Sequence, residues 1–372
     1  ESSHCGPCAR GCRNVEVHSV GPGQAARTLP AAMTSINRRT ALAAGASLLS
    51  PAWAQTANPT SANPLVVKFS HVVAPETPKG KGALRFKELL EIRSGGRMRV
   101  EVHPNSQLLK DKDELAALQR GEVQLLAPSL SKLRPLGVKE FELFDLPFLF
   151  KNRGAFNDTA QTFGRTLFGK LEPSGVRGLA FWDNGFLLMS ANKPLRDVDD
   201  FKGLKMRVQA SAVAEAEMRA LGAEPRVMNF SELFAALQAG SVDGTEGTAS
   251  NFLTQRLAEV QKHLTLSNHG YLAYALLVNR AFHDRLPADL RGVFDSAVAD
   301  ATSYANTIAN AENAWALGKI KGHARVSLHA PQASELEGWR RALMGVHTAV
   351  AERVGTAALQ AAYRAAGFIP PR

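Results

Sequence analysis

Cysteine is almost absent from this chain, and the three that occur, Cys5, Cys8 and Cys12, all precede residue 13. Everything downstream therefore lacks disulfides, thiolate metal sites and a cysteine nucleophile. Long apolar runs are missing too: no segment reaches the roughly 18 uncharged apolar residues of a membrane-spanning helix. Charge is not segregated. The 44 Lys and Arg exceed the 34 Asp and Glu, for a formal net charge of +10, but the two signs alternate along the chain. That pattern argues against a nucleic-acid partner, while a mildly basic field favours small anions. Common catalytic signatures are lacking as well: there is no Gly-x-Gly-x-x-Gly after a strand, no phosphate-binding Gly-x-x-x-x-Gly-Lys-Ser/Thr, no Gly-x-Ser-x-Gly and no His-Glu-x-x-His.

What is present begins with an export signal. Residues 1–32 start without Met, are rich in Gly, Ala, Ser and Pro, and read as a non-native upstream segment. The cysteine spacing inside it could suggest a metal site, but its position ahead of a better start at Met33 points to sequence that is untranslated or removed. From Met33, Arg38 and Arg39 form a positive region, Ala41 to Leu49 an apolar stretch, and Ala52-Trp53-Ala54 a cleavage site, so residues 33–54 read as a signal peptide. Asn37-Arg38-Arg39-Thr40-Ala41-Leu42 also loosely matches a twin-arginine signal. The expected mature protein is soluble and periplasmic and begins near Gln55.

With 372 residues and 45% apolar composition, the chain can build one large core or two moderate ones. Val66 to Ser70 reads as a strand, Gly80 to Ile92 as a helix stopped by Ser94-Gly95-Gly96, and Met98 to His103 as a second strand. Such β-α-β order predicts an α/β fold with largely parallel strands. Further strands are expected at Gly178 to Trp182, Phe186 to Ser190, Leu204 to Val208 and Leu272 to Val278. Long Ala-rich helices are expected at 288–323 and 333–354. The stretch Glu114 to Val123 recurs, with one insertion, as Glu232 to Val242, each a helix ending at a glycine before a strand. Either two lobes are built alike, or the composition simply makes good helices.

Of ten histidines, eight follow the signal region, and none pairs at metal-ligand spacing; His263 and His269, six apart, suit neither a helix face nor a strand face. His71 and His269 each end a predicted strand, where open α/β sheets hold ligands. Arg207 lies in an otherwise apolar strand, and its planar fork can hold a carboxylate through two hydrogen bonds. The same residue could equally sit on an edge strand, bonded to an internal carboxylate.

Several ordered segments together resemble one family: Lys68 to Val73, Thr77 to Gly82, Phe144-Asp145-Leu146-Pro147-Phe148, Trp182 to Phe186, Ser190 to Leu195, Gly203 to Gln209, Val242 to Gly247 and Ser267 to Tyr271. They are similar to the DctP-type receptors of tripartite ATP-independent periplasmic (TRAP) transporters, from about Val66 to past Tyr304. The resemblance implies a two-lobed periplasmic-binding-protein-like α/β fold, with mixed sheets flanked by helices and long helices bracing the hinge. It makes Arg207 the partner of a substrate carboxylate and Phe230, which as a bare feature reads as core, an aromatic against the ligand. Ser70 and His71 fall at the mouth of the first strand, Ser129 at the end of a strand in the same lobe, and Gln209 beside Arg207. Asn184 and His269 lie in matching motifs. Two positions depart, Leu187 where relatives commonly carry a second basic residue and Gly247 where many carry a ligand-binding Asn. Lys79 could compensate for a missing cation, or could be a solvated loop charge.

The lobes are expected at 64–184 with 273–312, and at 185–272 with 313–366, the second including the hinge helices. The function so implied is capture of a small organic acid anion, a C4-dicarboxylate such as succinate, fumarate or malate, for delivery to TRAP membrane subunits. A monocarboxylate receptor is the alternative, and an exported α/β enzyme acting on organic acids the rival from another class. No cofactor, metal or membrane span is expected, and the protein is expected to be a monomer.

Overall fold

The computed structural model describes residues 59–371, so the signal peptide, the upstream segment and its cysteines lie outside the described residues. Strand β1, Leu65–Ser70, leads into the helix Pro78–Arg93, and β2, Met98–His103, returns parallel to β1. The helix starts where the sequence supplies both signals: Thr77 Oγ1 accepts the Gly80 N–H at 3.1 Å, and Pro78 occupies the first turn. The helix Glu114–Arg120 then precedes β3, Leu125–Leu126, which lies on the other side of β1. Strand β4, Val176–Phe186, belongs to this first sheet, whereas β5, Leu188–Ala191, belongs to the second.

The second sheet is built from β5, β6 (Lys205–Val208), β7 (Glu224–Val227), β8 (Gly244–Gly247), β9 (His263–Thr265) and β11 (Ser327–His329); β10 (Tyr271–Asn279) goes back to the first. The orders are β2-β1-β3-β10-β4 and β7-β6-β8-β5-β9-β11. Pairing runs parallel, parallel, antiparallel and antiparallel along the first five strands of each. The sequence echo is therefore architectural. Each copy supplies the helix before the central strand, and each helix stops beside a left-handed glycine, Gly121 at φ 75° and Gly240 at φ 68°.

The chain crosses between the sheets three times, twice by adjacent routes, β4 to β5 and β9 to β10, and once more from β10 to β11. Leu187 N–H donates to Gly270 O at 2.9 Å, so the two crossings are tied together. Two strands were expected at 178–182 and 186–190, but the break falls at Leu187. A bulge accounts for the difference: Asp183 faces Ala273 and Gly185 faces Leu272, so the ladder with β10 runs on past Asn184.

A 34-residue helix, Ala288–Lys321, about 50 Å long, serves both halves. Leu290, Phe294, Ala301 and Ala305 pack with Phe69, Phe86 and Trp182 under the first sheet. Ala316 and Ile320 pack with Leu188, Leu237 and Phe252 under the second. Helix Ala333–Val354 adds Trp339 and Leu343 to the largest core cluster. No helix among the described residues is long and apolar enough to cross a membrane.

Candidate functional site

Arg207 occupies β6, which lies between β8 and β7, so it is on an interior strand and not on an edge. Only 5% of it is exposed. Its Nε and Nη2 donate to Met228 O at 3.3 and 3.0 Å, and its guanidinium stands 5.5 Å from the centre of the Phe230 ring. It forms no ion pair among the described residues, which removes the alternative of an internal carboxylate partner. Burial lowers its pKa, and Asp111 and Glu246 nearby act the other way; a guanidinium stays charged regardless. A buried, fixed cation therefore faces the space between the sheets with one edge unspent.

That space is a cavity of about 50 Å³ lined by Val72, Val73, Lys79, Asp111, Ser129, Lys132, Leu187, Arg207, Gln209, Phe230, Glu246, Gly247, Asn251, Leu272 and Tyr274. The first half contributes a second buried ammonium. Lys79 is 2% exposed, not a solvated loop charge, because the cap at Thr77 places it in the first helical turn. Its Nζ donates to Ala127 O at 2.9 Å and sits 3.8 Å over the Tyr274 ring. Lys132 is bound to Asp111. Burial works to raise the Asp111 carboxyl, but Lys132, the Phe230 N–H and Arg207 outweigh it and hold the group below its ordinary value. Lining cations outnumber lining carboxylates three to two, and a net positive crevice suits an anion.

Contacts across the gap hold the halves together. Asp111 Oδ2 accepts the Phe230 N–H at 2.8 Å, Ser129 Oγ donates to Gln209 Oε1 at 2.6 Å, and Lys110 pairs with Glu232 at 3.0 Å.

Behind the Arg207 side lies a buried acid group. Glu217, Glu246 and His269 each bring one donor atom within 4.8 Å of the others, which is the grouping among the described residues that could hold a cation. His269 is already engaged, through Nδ1 with Ser267 Oγ at 2.7 Å and through Nε2 with Glu246 Oε2 at 3.3 Å. Burial, with Glu246 and Asp145 nearby, raises Glu217 well above the usual carboxylate range. Asp145, held by Ser211 at 2.7 Å, is pushed up by burial to about 6.

Of the residues singled out in the sequence, Arg207, Gln209, Phe230, Ser129, Leu187, Gly247 and Lys79 line the cavity, and Ser70, His71, Asn184 and His269 do not. Ser70 and His71 are fully buried, and the wall beyond β1 is formed by the next two residues, Val72 and Val73. Burial, with Lys79 beside it, drives the His71 imidazole down to about 3, so it stays neutral. Asn184 acts one step removed: its Nδ2 donates to Tyr274 Oη and Thr248 Oγ1, both at 3.0 Å. Ser129 does not end a strand. Strand β3 stops at Leu126, Pro128 offers no N–H, and Ser129 makes an isolated bridge with Tyr274 before a 3₁₀ turn, Leu130–Leu136.

Sequence reasoning missed Asp111, Lys132, Glu246, Asn251 and Tyr274. Glu246 stood inside a quoted motif, and Tyr274 inside a predicted strand; for Asp111 and Lys132 no local signal existed.

The family profile DctP, bacterial extracellular solute-binding protein, family 7, matches residues 69–353. The C4-dicarboxylate-binding periplasmic protein DctP of Rhodobacter capsulatus is 56% identical over 304 residues, 82% of this chain and 91% of that protein. A TRAP periplasmic solute-binding protein from Shewanella oneidensis, solved with bound succinate, is 41% identical with a TM-score of 0.80, covering 82% of this chain and 99% of that one. One from Pseudomonas aeruginosa, with bound L-malate, is 41% identical with a TM-score of 0.74, covering 77% and 100%.

Proposed function

Because this chain belongs to the DctP family of bacterial extracellular solute-binding proteins, we propose that it is a periplasmic receptor that encloses a C4-dicarboxylate and presents it to TRAP membrane subunits without altering it. The observation that carries the reading is a buried Arg207 with no ion pair among the described residues, on the same cavity as a buried ammonium, Lys79. Two unpaired interior cations are costly to desolvate, and a ligand with a carboxylate at each end offsets both costs. The relatives that carry succinate and malate support the same class. Leu187 supplies no second basic group, and in this reading Lys79 supplies it from the opposite wall.

The present cavity of about 50 Å³ has room for only a few waters. A dicarboxylate is therefore received by an open form, and the lobes then close by rotation at the paired crossings near Leu187 and Gly270. In the proposed cycle Arg207 clamps one carboxylate, Phe230 packs against the carbon chain, and Ser129 and Gln209 exchange their mutual hydrogen bond for bonds to the solute. No bond is made or broken, and no group outside the chain is needed.

A second reading, a larger monocarboxylate, draws on Gly247, where an added Cβ would meet nothing within 4 Å. Thermal unfolding distinguishes the two. Succinate, fumarate or malate at a hundred times its Kd should stabilise the protein by about 2.7 kcal/mol and raise Tm by several degrees. A rise with keto, hydroxy or aromatic monoacids and none with the dicarboxylates would transfer the assignment to the second reading.

A further inference from the structure

Glu114 has no place in the cycle above, yet it is 2% exposed, its Oε2 has no partner, and it forms no ion pair among the described residues. The nearby Lys79 ammonium likewise forms no ion pair among the described residues, where the Ala127 carbonyl and the Tyr274 ring stand against it. A carboxylate and an ammonium that are both buried, and that do not touch, cannot each keep full charge cheaply. One proton shared between them leaves the pair neutral overall in the empty protein.

A dianion changes that balance. Its second carboxylate, placed against Lys79, favours the charged ammonium and opposes a charged Glu114 on the far side. We propose that a dicarboxylate is captured together with one proton from solvent, taken up by the Lys79 and Glu114 pair, so that the bound state holds a charged Lys79 beside a neutral Glu114. This rests on the dicarboxylate reading of the cavity. Glu114 never touches the solute and acts on it through Lys79.

The remaining groups around the pair leave it as the one that answers near neutrality. Burial drives His71 down to about 3, and Lys132, the Phe230 N–H and Arg207 hold Asp111 below its ordinary value. Lys132 stays bound to Asp111. Burial is the largest influence on both, pushing Lys79 down and Glu114 up, and with the smaller influences of the pair's own attraction, Lys132 and Asp111 each comes to about 7. Selectivity follows as well: a monoanion held by Arg207 alone brings no charge to the far wall and recruits no proton.

Titration calorimetry with fumarate, whose own carboxyls ionise well below this range, tests the inference on the full mature chain at pH 7.5. Heats measured in phosphate and in Tris should differ by the uptake of about one half to one proton per fumarate bound. Over pH 7 to 9 the Kd should rise, by up to about tenfold per unit for a whole proton. The double substitution Lys79→Met with Glu114→Gln, which removes both charges at nearly constant volume, should bind more weakly and abolish the buffer dependence. Fumarate binding with the same heat in both buffers would overturn the inference and leave the receptor reading standing. Persistence of the uptake in the double variant would also overturn it, assigning the proton to Asp145 or Glu217. No binding of any C4-dicarboxylate would overturn the reading and the inference together.

Discussion

Arg207→Ala should bind a C4-dicarboxylate about 2–5 kcal/mol more weakly, a factor of roughly thirty to several thousand, with the fold intact. The size follows from the isolation of the group. Among the described residues Arg207 is the only cation that the second half brings to the cavity, it is 5% exposed, and water cannot take its place beside a carboxylate once the lobes have closed. The unusual part of the expectation concerns stability. Truncating one member of a buried ion pair commonly damages the fold, because the other member is left stranded. Here no partner is stranded, since Arg207 donates only to the carbonyl of Met228. The urea midpoint of the unliganded variant should therefore move by less than about 1 kcal/mol equivalent. Arg207→Lys keeps the charge without the two-pronged geometry and should recover only part of the affinity. Calorimetric binding within threefold of the parent protein for Arg207→Ala would remove the site.

The way this site is assembled explains which parts were legible in the sequence. Strand periodicity placed Arg207 in an apolar stretch, so one cationic wall could be found locally; the helix was expected only from Gly80, which left Lys79 open as a loop charge, whereas the cap at Thr77 puts it in the first helical turn. The chemistry between the walls could not be found locally. Asp111 is read by the Phe230 N–H, 119 residues away, and Ser129 meets Gln209 across 80 residues. No local pattern encodes such meetings, because each partner looks like an ordinary loop residue in its own segment. Resemblance to a family closed part of that distance, pointing to Phe230, Ser129 and Gln209. It also drew attention to Ser70, His71, Asn184 and His269, which the fold places behind the cavity wall. Two of the four support the wall, since Asn184 holds Tyr274 and His269 holds Glu246, whereas the Ser70 hydroxyl and both His71 ring nitrogens have no partner among the described residues. The internal echo, by contrast, was too short to decide between composition and architecture. Only the strand order, with its identical run of parallel and antiparallel pairings, shows that each half contributes one copy.

The seam between β4 and the long helix joins the first sheet to the element that serves both halves. Trp182→Ala should destabilise the protein by about 3–5 kcal/mol, read as a lowered urea midpoint with little change in slope. Trp182 is fully buried, its ring centre lies 5.9 Å from that of Phe69, and its Nε1 donates to Thr302 Oγ1 at 2.9 Å on helix Ala288–Lys321. Removing the indole thus opens a cavity where sheet and helix meet and leaves the Thr302 hydroxyl without its donor. Phenylalanine at 182 restores much of the volume but not the hydrogen bond, and should cost about 1–3 kcal/mol. The same helix packs Ala316 and Ile320 into the other half, so a loosened seam also frees one lobe against the other. For that reason Trp182→Ala should weaken solute binding by several-fold even though Trp182 does not itself line the cavity, and saturating solute should restore part of the lost midpoint. A midpoint shift worth less than about 1 kcal/mol would show that the long helix is not held to the first sheet through this residue.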